Sequence, residues 1–309
     1  MRRLFVVLML ALLIVACKGG AKKQVSIETP FIGGTQGLAL GFQDFRSEVF
    51  DGGSDPFDVV VRLENKGETL VKSENVKVSI SGVNPAEFGK SDVDLTLNAP
   101  DDVIENRKQA QGILPGPPVF VEFVGLNHKS PISGASAQFT IRADLCYLYR
   151  TKAVSKLCVR ENILTPAAGG ICEINQDKPA SNSGAPVQIS AFKESARAKD
   201  KIGFTFEIKN SGQGIVFERN SFCDRSERKK ESRVYVIVSS GLEGLSCTGF
   251  DNTAVGSEGF VTLYGGSKIV SCTQSVSSRS DFEQLVNMEV IYDYEQTTQT
   301  TLAVKSSGE

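Results

Sequence analysis

Phe57-Asp58-Val59-Val60-Val61-Arg62-Leu63-Glu64-Asn65-Lys66-Gly67 decides how this chain is read. Phe57, Val59, Val61 and Leu63 fall on every second position, and Asp58, Val60, Arg62 and Glu64 lie between them. That period belongs to a strand with one buried face. Asn65 and Gly67 then supply a turn that tolerates positive φ. The pattern recurs downstream, where Ile202, Phe204, Phe206 and Ile208 alternate before Asn210 and Gly212, so that Leu63–Gly67 aligns with Ile208–Gly212 at an offset of 145. At the same offset Tyr147-Leu148-Tyr149 aligns with Tyr292-Asp293-Tyr294, and Leu157 and Val159 with Leu302 and Val304. Val76–Ile80 resembles Val234–Val238 at a shifted offset, as loop insertions would produce. Matches so far apart in one register point to duplication.

Other period-2 runs are Val93–Leu97, Val119–Phe123, Ala137–Tyr149 and Val154–Val159, then Val187–Ala191, Gly259–Leu263, Lys268–Cys272, Val286–Tyr294 and Thr300–Val304. Helical periodicity is confined to a turn or two at Arg225–Arg233 and Asp281–Val286. About seven short strands per copy, separated by turn signals, predict an all-β fold of two antiparallel sandwiches. An apolar strand ending in Asn-x-Gly, followed later by a long hairpin, resembles the tandem immunoglobulin-like, CARDB-like modules of bacterial and archaeal surface proteins. The resemblance implies immunoglobulin-like β-sandwiches in both halves. Residues 165–185, rich in Pro, Gly, Ser and Asn, read as the linker between sandwiches at 37–164 and 186–309, and Cys172 within it would limit bending, which predicts a semi-rigid rod. Neither half has the Cys…Trp…Cys of antibody domains, because the chain has no Trp.

The length of 309 residues agrees with two domains at roughly 150 residues each. Lys plus Arg is 34 against 36 for Asp plus Glu, so no global field marks a nucleic-acid binder. Met1-Arg2-Arg3 precedes an unbroken apolar run from Leu4 to Ala16 and then Cys17, the pattern of a signal peptide over 1–17. At 1.5 Å per residue the run covers only about 20 Å, short of a bilayer core. Ile14-Val15-Ala16-Cys17 resembles a lipobox, which implies a diacylated Cys17 and anchoring to the extracytoplasmic face of a membrane. Two acyl chains anchor stably where one does not. Residues 18–36 read as a flexible tether.

Six cysteines remain after Cys17: Cys146, Cys158, Cys172, Cys223, Cys247 and Cys272. An even number outside the cytosol reads as disulfides, and no spacing matches a zinc or redox pattern. A hairpin turning at Thr151-Lys152-Ala153 would set Cys146 opposite Cys158. By elimination Cys247 then pairs with Cys272, on neighbouring strands, and Cys172 with Cys223 across the linker.

Catalytic chemistry finds little support. His128, the single histidine, sits in Leu126-Asn127-His128-Lys129-Ser130-Pro131 and reads as a solvated loop residue. No nucleophile elbow, Walker motif or placed GxGxxG accompanies it. Asp51, Asp55, Asp58, Asp101, Asp102 and Glu105 could offer oxygens to Ca²⁺, but their spacing is not that of an EF-hand. The run Arg225–Arg233 reads as a solvated loop, with a membrane or anionic-polymer contact as the alternative. The expectation is a non-catalytic, lipid-anchored envelope module that binds no metal, cofactor or nucleic acid. It would present its sandwiches to a protein or an envelope polymer. The other class is an accessory subunit of an envelope transport, pilus or secretion complex.

Overall fold

The computed structural model describes residues 29–165, 170–251, 256–277 and 280–308. Cys17, the signal segment and the tether up to residue 28 lie outside the described residues. The first half contributes β1 (Leu38–Gln43), β2 (Glu48–Phe50), β3 (Phe57–Asn65), β4 (Val76–Ser81), β5 (Thr96–Asn98), β6 (Arg107–Gln109), β7 (Gly112–Leu114), β8 (Val119–Leu126) and β9 (Ser136–Val159). The second contributes β10 (Asp177–Lys178), β11 (Ser181–Asn182), β12 (Val187–Ala198), β13 (Lys201–Asn210), β14 (Ile215–Phe217), β15 (Arg233–Ser239), β16 (Leu245–Thr248), β17 (Glu258–Thr262), β18 (Ser267–Ser275) and β19 (Phe282–Lys305). The fold is all-β and almost wholly antiparallel. In β3 the expected face is the buried one: Phe57, Val59, Val61 and Leu63 line the core while Asp58 and Arg62 are exposed.

β1-β3-β8 form one sheet, and β10-β12-β13-β18-β16 form another. Both pack on a nine-stranded sheet ordered β17-β15-β19-β9-β4-β5, with β11 beside β9 and with β14 and β2 beside β19. β9 and β19 pair along their whole lengths, from Ser136↔Lys305 to Val159↔Phe282. Tyr147 faces Tyr294, and Tyr149 faces Tyr292. Because the 145-residue offset makes Tyr147 equivalent to Tyr292 and Tyr149 to Tyr294, each contact is carried onto the other. That is an isologous, two-fold arrangement inside one chain. Leu148 faces Asp293, its own equivalent, so the pseudo-two-fold axis passes between them.

The long strands are shared. Up to Tyr149, β9 belongs to the first sandwich, where Tyr147 and Tyr149 bond β1 and β3. From Thr151 it lines the second, where the Thr151 hydroxyl donates to the carbonyl of Val187 at 2.6 Å. β19 does the reverse: Tyr292 and Tyr294 bond β12 and β13, and Gln296 bonds β1. Residues Phe31–Glu309 are accordingly one compact unit, not two sandwiches strung on a linker. The physical cause is that the alternation runs through Thr151, Ala153, Ser155 and Leu157 without a break, so no turn forms at Thr151–Ala153.

The segments expected as tether and linker are docked where they are described. Glu68 accepts the N–H groups of Ile32, Gly33 and Gly184. β10 pairs with β12 and β11 with β9, which fixes residues 177–182 to the second sandwich.

Candidate functional site

Four tyrosines occupy the axis, and all are at most 1% exposed. The Tyr147 hydroxyl accepts from Leu38 N–H at 3.1 Å and from Gln296 Nε2 at 2.6 Å. Its equivalent Tyr292 accepts from Val187 N–H at 3.2 Å and shares a hydrogen bond with Thr151 at 3.1 Å. Thr151 and Gln296 are themselves related by the 145 offset. Tyr149 donates to Asn65 Oδ1 at 3.3 Å, and Tyr294 donates to Asn210 Oδ1 at 3.4 Å. Each Asn also accepts from the glycine two residues on and donates to the carbonyl four residues on. Gly67 and Gly212 are needed here for space and not for positive φ, because a Cβ on either would collide with the hydroxyl of Tyr149 or Tyr294. Asn-x-Gly and Tyr-x-Tyr are thus two parts of one device. Burial pushes all four phenol groups above their usual range, which keeps them protonated donors and acceptors.

The disulfides depart from two of the three expected pairs. Cys146 joins Cys223, Cys158 joins Cys172, and Cys247 joins Cys272 across facing positions of β16 and β18. Cys146 cannot reach Cys158, because twelve residues of straight strand separate them by about 40 Å. Cys223 instead comes to β9 on a loop held by Asp293. The Asp293 carboxylate accepts from Asn220 N–H at 3.1 Å, Phe222 N–H at 2.7 Å and the Ser221 hydroxyl at 3.2 Å. Asn220, Phe222 and Cys223 all carry positive φ there, a backbone state that side-chain-bearing residues rarely adopt. Burial raises the Asp293 carboxyl above its ordinary value, and the loop N–H groups oppose that shift.

His128 is not a solvated loop residue. It is 4% exposed, with its ring 5.2 Å from that of Phe88 and 5.3 Å from that of Phe139. The loop turns inward because Asn127 N–H and Lys129 N–H bond the carbonyls of Phe88 and Glu87. His128 Nδ1 and Asn127 Oδ1 are buried without a hydrogen-bond partner among the described residues. His128→Ala should therefore open a cavity and cost about 2–3 kcal/mol by denaturant unfolding.

The carboxylates considered for Ca²⁺ are spent separately. Asp51 caps Ile132 N–H and Ser307 N–H, Asp58 caps Gly125 N–H, and Glu105 pairs with Arg107. Arg46 grips Asp55, and Lys72 grips Asp102, and each cation holds its carboxyl below the usual range. Among the described residues no group of three or more His, Cys, Asp or Glu could hold a metal ion. In the Arg225–Arg233 run, Arg225 pairs with Glu295, Lys230 with Glu227, and Arg233 with Glu218 and Asp251. Arg228 and Lys229 stay exposed. No described helix is long and apolar enough to cross a membrane.

Clefts flank the axis. One of about 370 Å³ is lined by Glu68, Thr69, Leu70, Arg150 and Lys152 among others. Its pseudo-symmetric counterpart, about 270 Å³, presents Gln213, Gly214, Ile215, Glu295 and Thr297 at the equivalent positions. The charges differ between the two: Arg150 and Lys152 of the first are Glu295 and Thr297 in the second, where Arg225 also lines the wall. A third cleft, about 330 Å³, opens between β1 and β19, where Leu38, Leu40, Pro186, Tyr294 and Gln296 line it and no lining side chain is charged. All six cysteines from Cys146 onward are in disulfides, so none of them is a free thiol. No protein-family model matches the chain, and no curated protein matches it.

Proposed function

We propose that this chain is a lipid-anchored, non-catalytic binding or structural module of the cell envelope, held by Cys17 on the extracytoplasmic face of a membrane. The observation that carries the reading is the set of three disulfides in an all-β body, which suits an oxidising compartment. The basic, apolar, Cys-terminated start of the sequence supports the same address. The clefts support non-covalent recognition: two bring polar and charged groups together, and the third is walled by uncharged polar and apolar residues.

The test is processing. The chain should partition into the detergent phase, with mass spectrometry placing a diacylated N-terminus at Cys17. Cys17→Ala should abolish that partition or block processing. An unmodified N-terminus elsewhere overturns the anchor.

A further inference from the structure

We propose that the mouth of the first sandwich binds an uncharged, extended strand of a partner protein, which adds to the free edge of β19 at Gln296–Leu302. β14 covers β19 at Asp293–Glu295 and β2 covers it at Ala303–Lys305. Between them β19 has β9 on one side and, among the described residues, no strand on the other. Ala303 N–H points to that open side, because it donates to Ser47 O at 2.8 Å. N–H directions repeat every second residue along a strand, so Thr301, Gln299 and Thr297 aim theirs the same way. These three residues are exposed. The slot is about 23 Å long at 3.3 Å per residue.

The molecule itself shows what fills such a slot. The 145 offset carries Gln296–Leu302 onto Thr151–Leu157 of β9. There Ser181 and Asn182 face Val154 and Ala153 in antiparallel register. Ser183 N–H donates to Lys152 O at 2.8 Å, and Lys152 N–H donates to Ser183 Oγ at 2.9 Å. The Ser155 hydroxyl adds a bond to Pro179 O at 3.0 Å. In the first half the corresponding segment before β1 is diverted: Ile32 and Gly33 bond Glu68, and Gly34 O accepts from Ala185 N–H. One edge is closed by an extended segment, and no described strand closes its twin.

Shape and charge select the occupant. A second copy's β19 is 24 residues long and cannot enter a slot stopped at both ends by β14 and β2. On one flank of Gln296 and Thr297 the charges of Arg225 and Glu295 are paired with each other. On the other, the cleft between β1 and β19 has no charged wall; Leu40 of β1 stands half-buried in its lining, and Phe42, two residues further along the strand, is half-buried too. An extended segment with alternating apolar side chains would cover both and satisfy the edge, the mode of recognition by strand addition.

The inference rests on the binding-module reading and names its partner. Hydrogen exchange of the full chain in detergent, followed by NMR, tests it, with a capped peptide of alternating valine and threonine as the probe. The peptide should shift the Thr297, Gln299 and Thr301 amides saturably and slow their exchange at least about tenfold. A lysine–serine peptide of equal length should do neither. Gln299→Pro, or Thr297→Pro as a second variant, removes an outward N–H while sparing the ladder to β9, and should abolish the response. No response in the wild type, an equal response in the proline variants, an equal response to the lysine–serine peptide, or slow exchange of these amides before peptide is added would each overturn the proposal. Processing at Cys17 without any peptide response would overturn strand addition alone and leave the anchor standing.

Discussion

Lys178→Met should destabilise the fold by roughly 3–5 kcal/mol at neutral pH, because it strands a buried carboxylate. Glu194 is completely enclosed and Lys178 nearly so, with side-chain exposures of 0% and 6%. The pair is a charge contact inside the second sandwich, and both Glu194 oxygens also accept from Cys158 N–H at 3.0 Å. Burial raises the Glu194 carboxyl above its ordinary value, while Lys178 pulls it down. A raised folded-state pKa means that the native chain holds the proton more tightly than the unfolded one. The stability from this group is complete below the unfolded value and is lost as pH rises through the folded one. Without Lys178 the carboxyl rises further, so the penalty should shrink as pH is lowered toward the carboxylate range. Lys178→Met with Glu194→Leu removes both charges and should recover more than half of the loss, leaving one Cys158 N–H unpaired. Urea titrations at neutral and acidic pH decide it. A single-variant loss under about 1 kcal/mol, or one independent of pH, would show that the carboxylate is solvated.

The legible part of this fold is the part with a period. Phe57–Leu63 and Ile202–Ile208 announce their buried faces, and the 145 offset contains the two-fold axis, since it maps Leu148 onto the Asp293 that faces it. The Asn-x-Gly pair was visible as a repeat, but its reason was not. The glycine makes room for a tyrosine hydroxyl that arrives 82 residues later in each copy, from Gly67 to Tyr149 and from Gly212 to Tyr294.

What escaped were choices settled by distant partners. Thr151-Lys152-Ala153 looks like a turn beside Tyr147 and Tyr149, and locally nothing says otherwise. Thr151 is tolerated in the core only because Val187 and Tyr292 satisfy its hydroxyl. His128 is likewise surrounded in sequence by Asn, Lys and Ser. Its burial comes from Phe88 and Phe139, which lie 40 and 11 residues away. The edge at Gln296–Leu302, which no described strand covers, also needs the other half of the molecule to be seen, because it is defined by what covers its twin.

Replacing Cys146 and Cys223 together by serine should cost about 4.5 kcal/mol on the chain-entropy model, the largest loss among the three bridges. The reason is topological. This bridge spans 77 residues, against 14 for Cys158–Cys172 and 25 for Cys247–Cys272, for which the same model expects about 3 and about 3.5 kcal/mol. It is also the bridge that ties one copy of the duplication to the other, since Cys146 lies on β9 and Cys223 on the loop before β15. Without it, the Asn220–Cys223 turn keeps three positive-φ residues, held by the Asp293 carboxylate and by the backbone bonds from Ser221 N–H to Glu218 O and from Asp224 N–H to Ser221 O. That strain should be released by local opening before the sandwiches unfold. Two measurements separate the effects. Denaturant midpoints of the three double-serine variants should rank Cys146/Cys223 lowest, and its Asn220 and Phe222 amides should lose exchange protection while those of β13 and β18 keep theirs. Peptide mapping without reduction must first find Cys146 joined to Cys223. Cys146 joined to Cys158, or left free, would overturn both the straight path of β9 and its full-length pairing with β19.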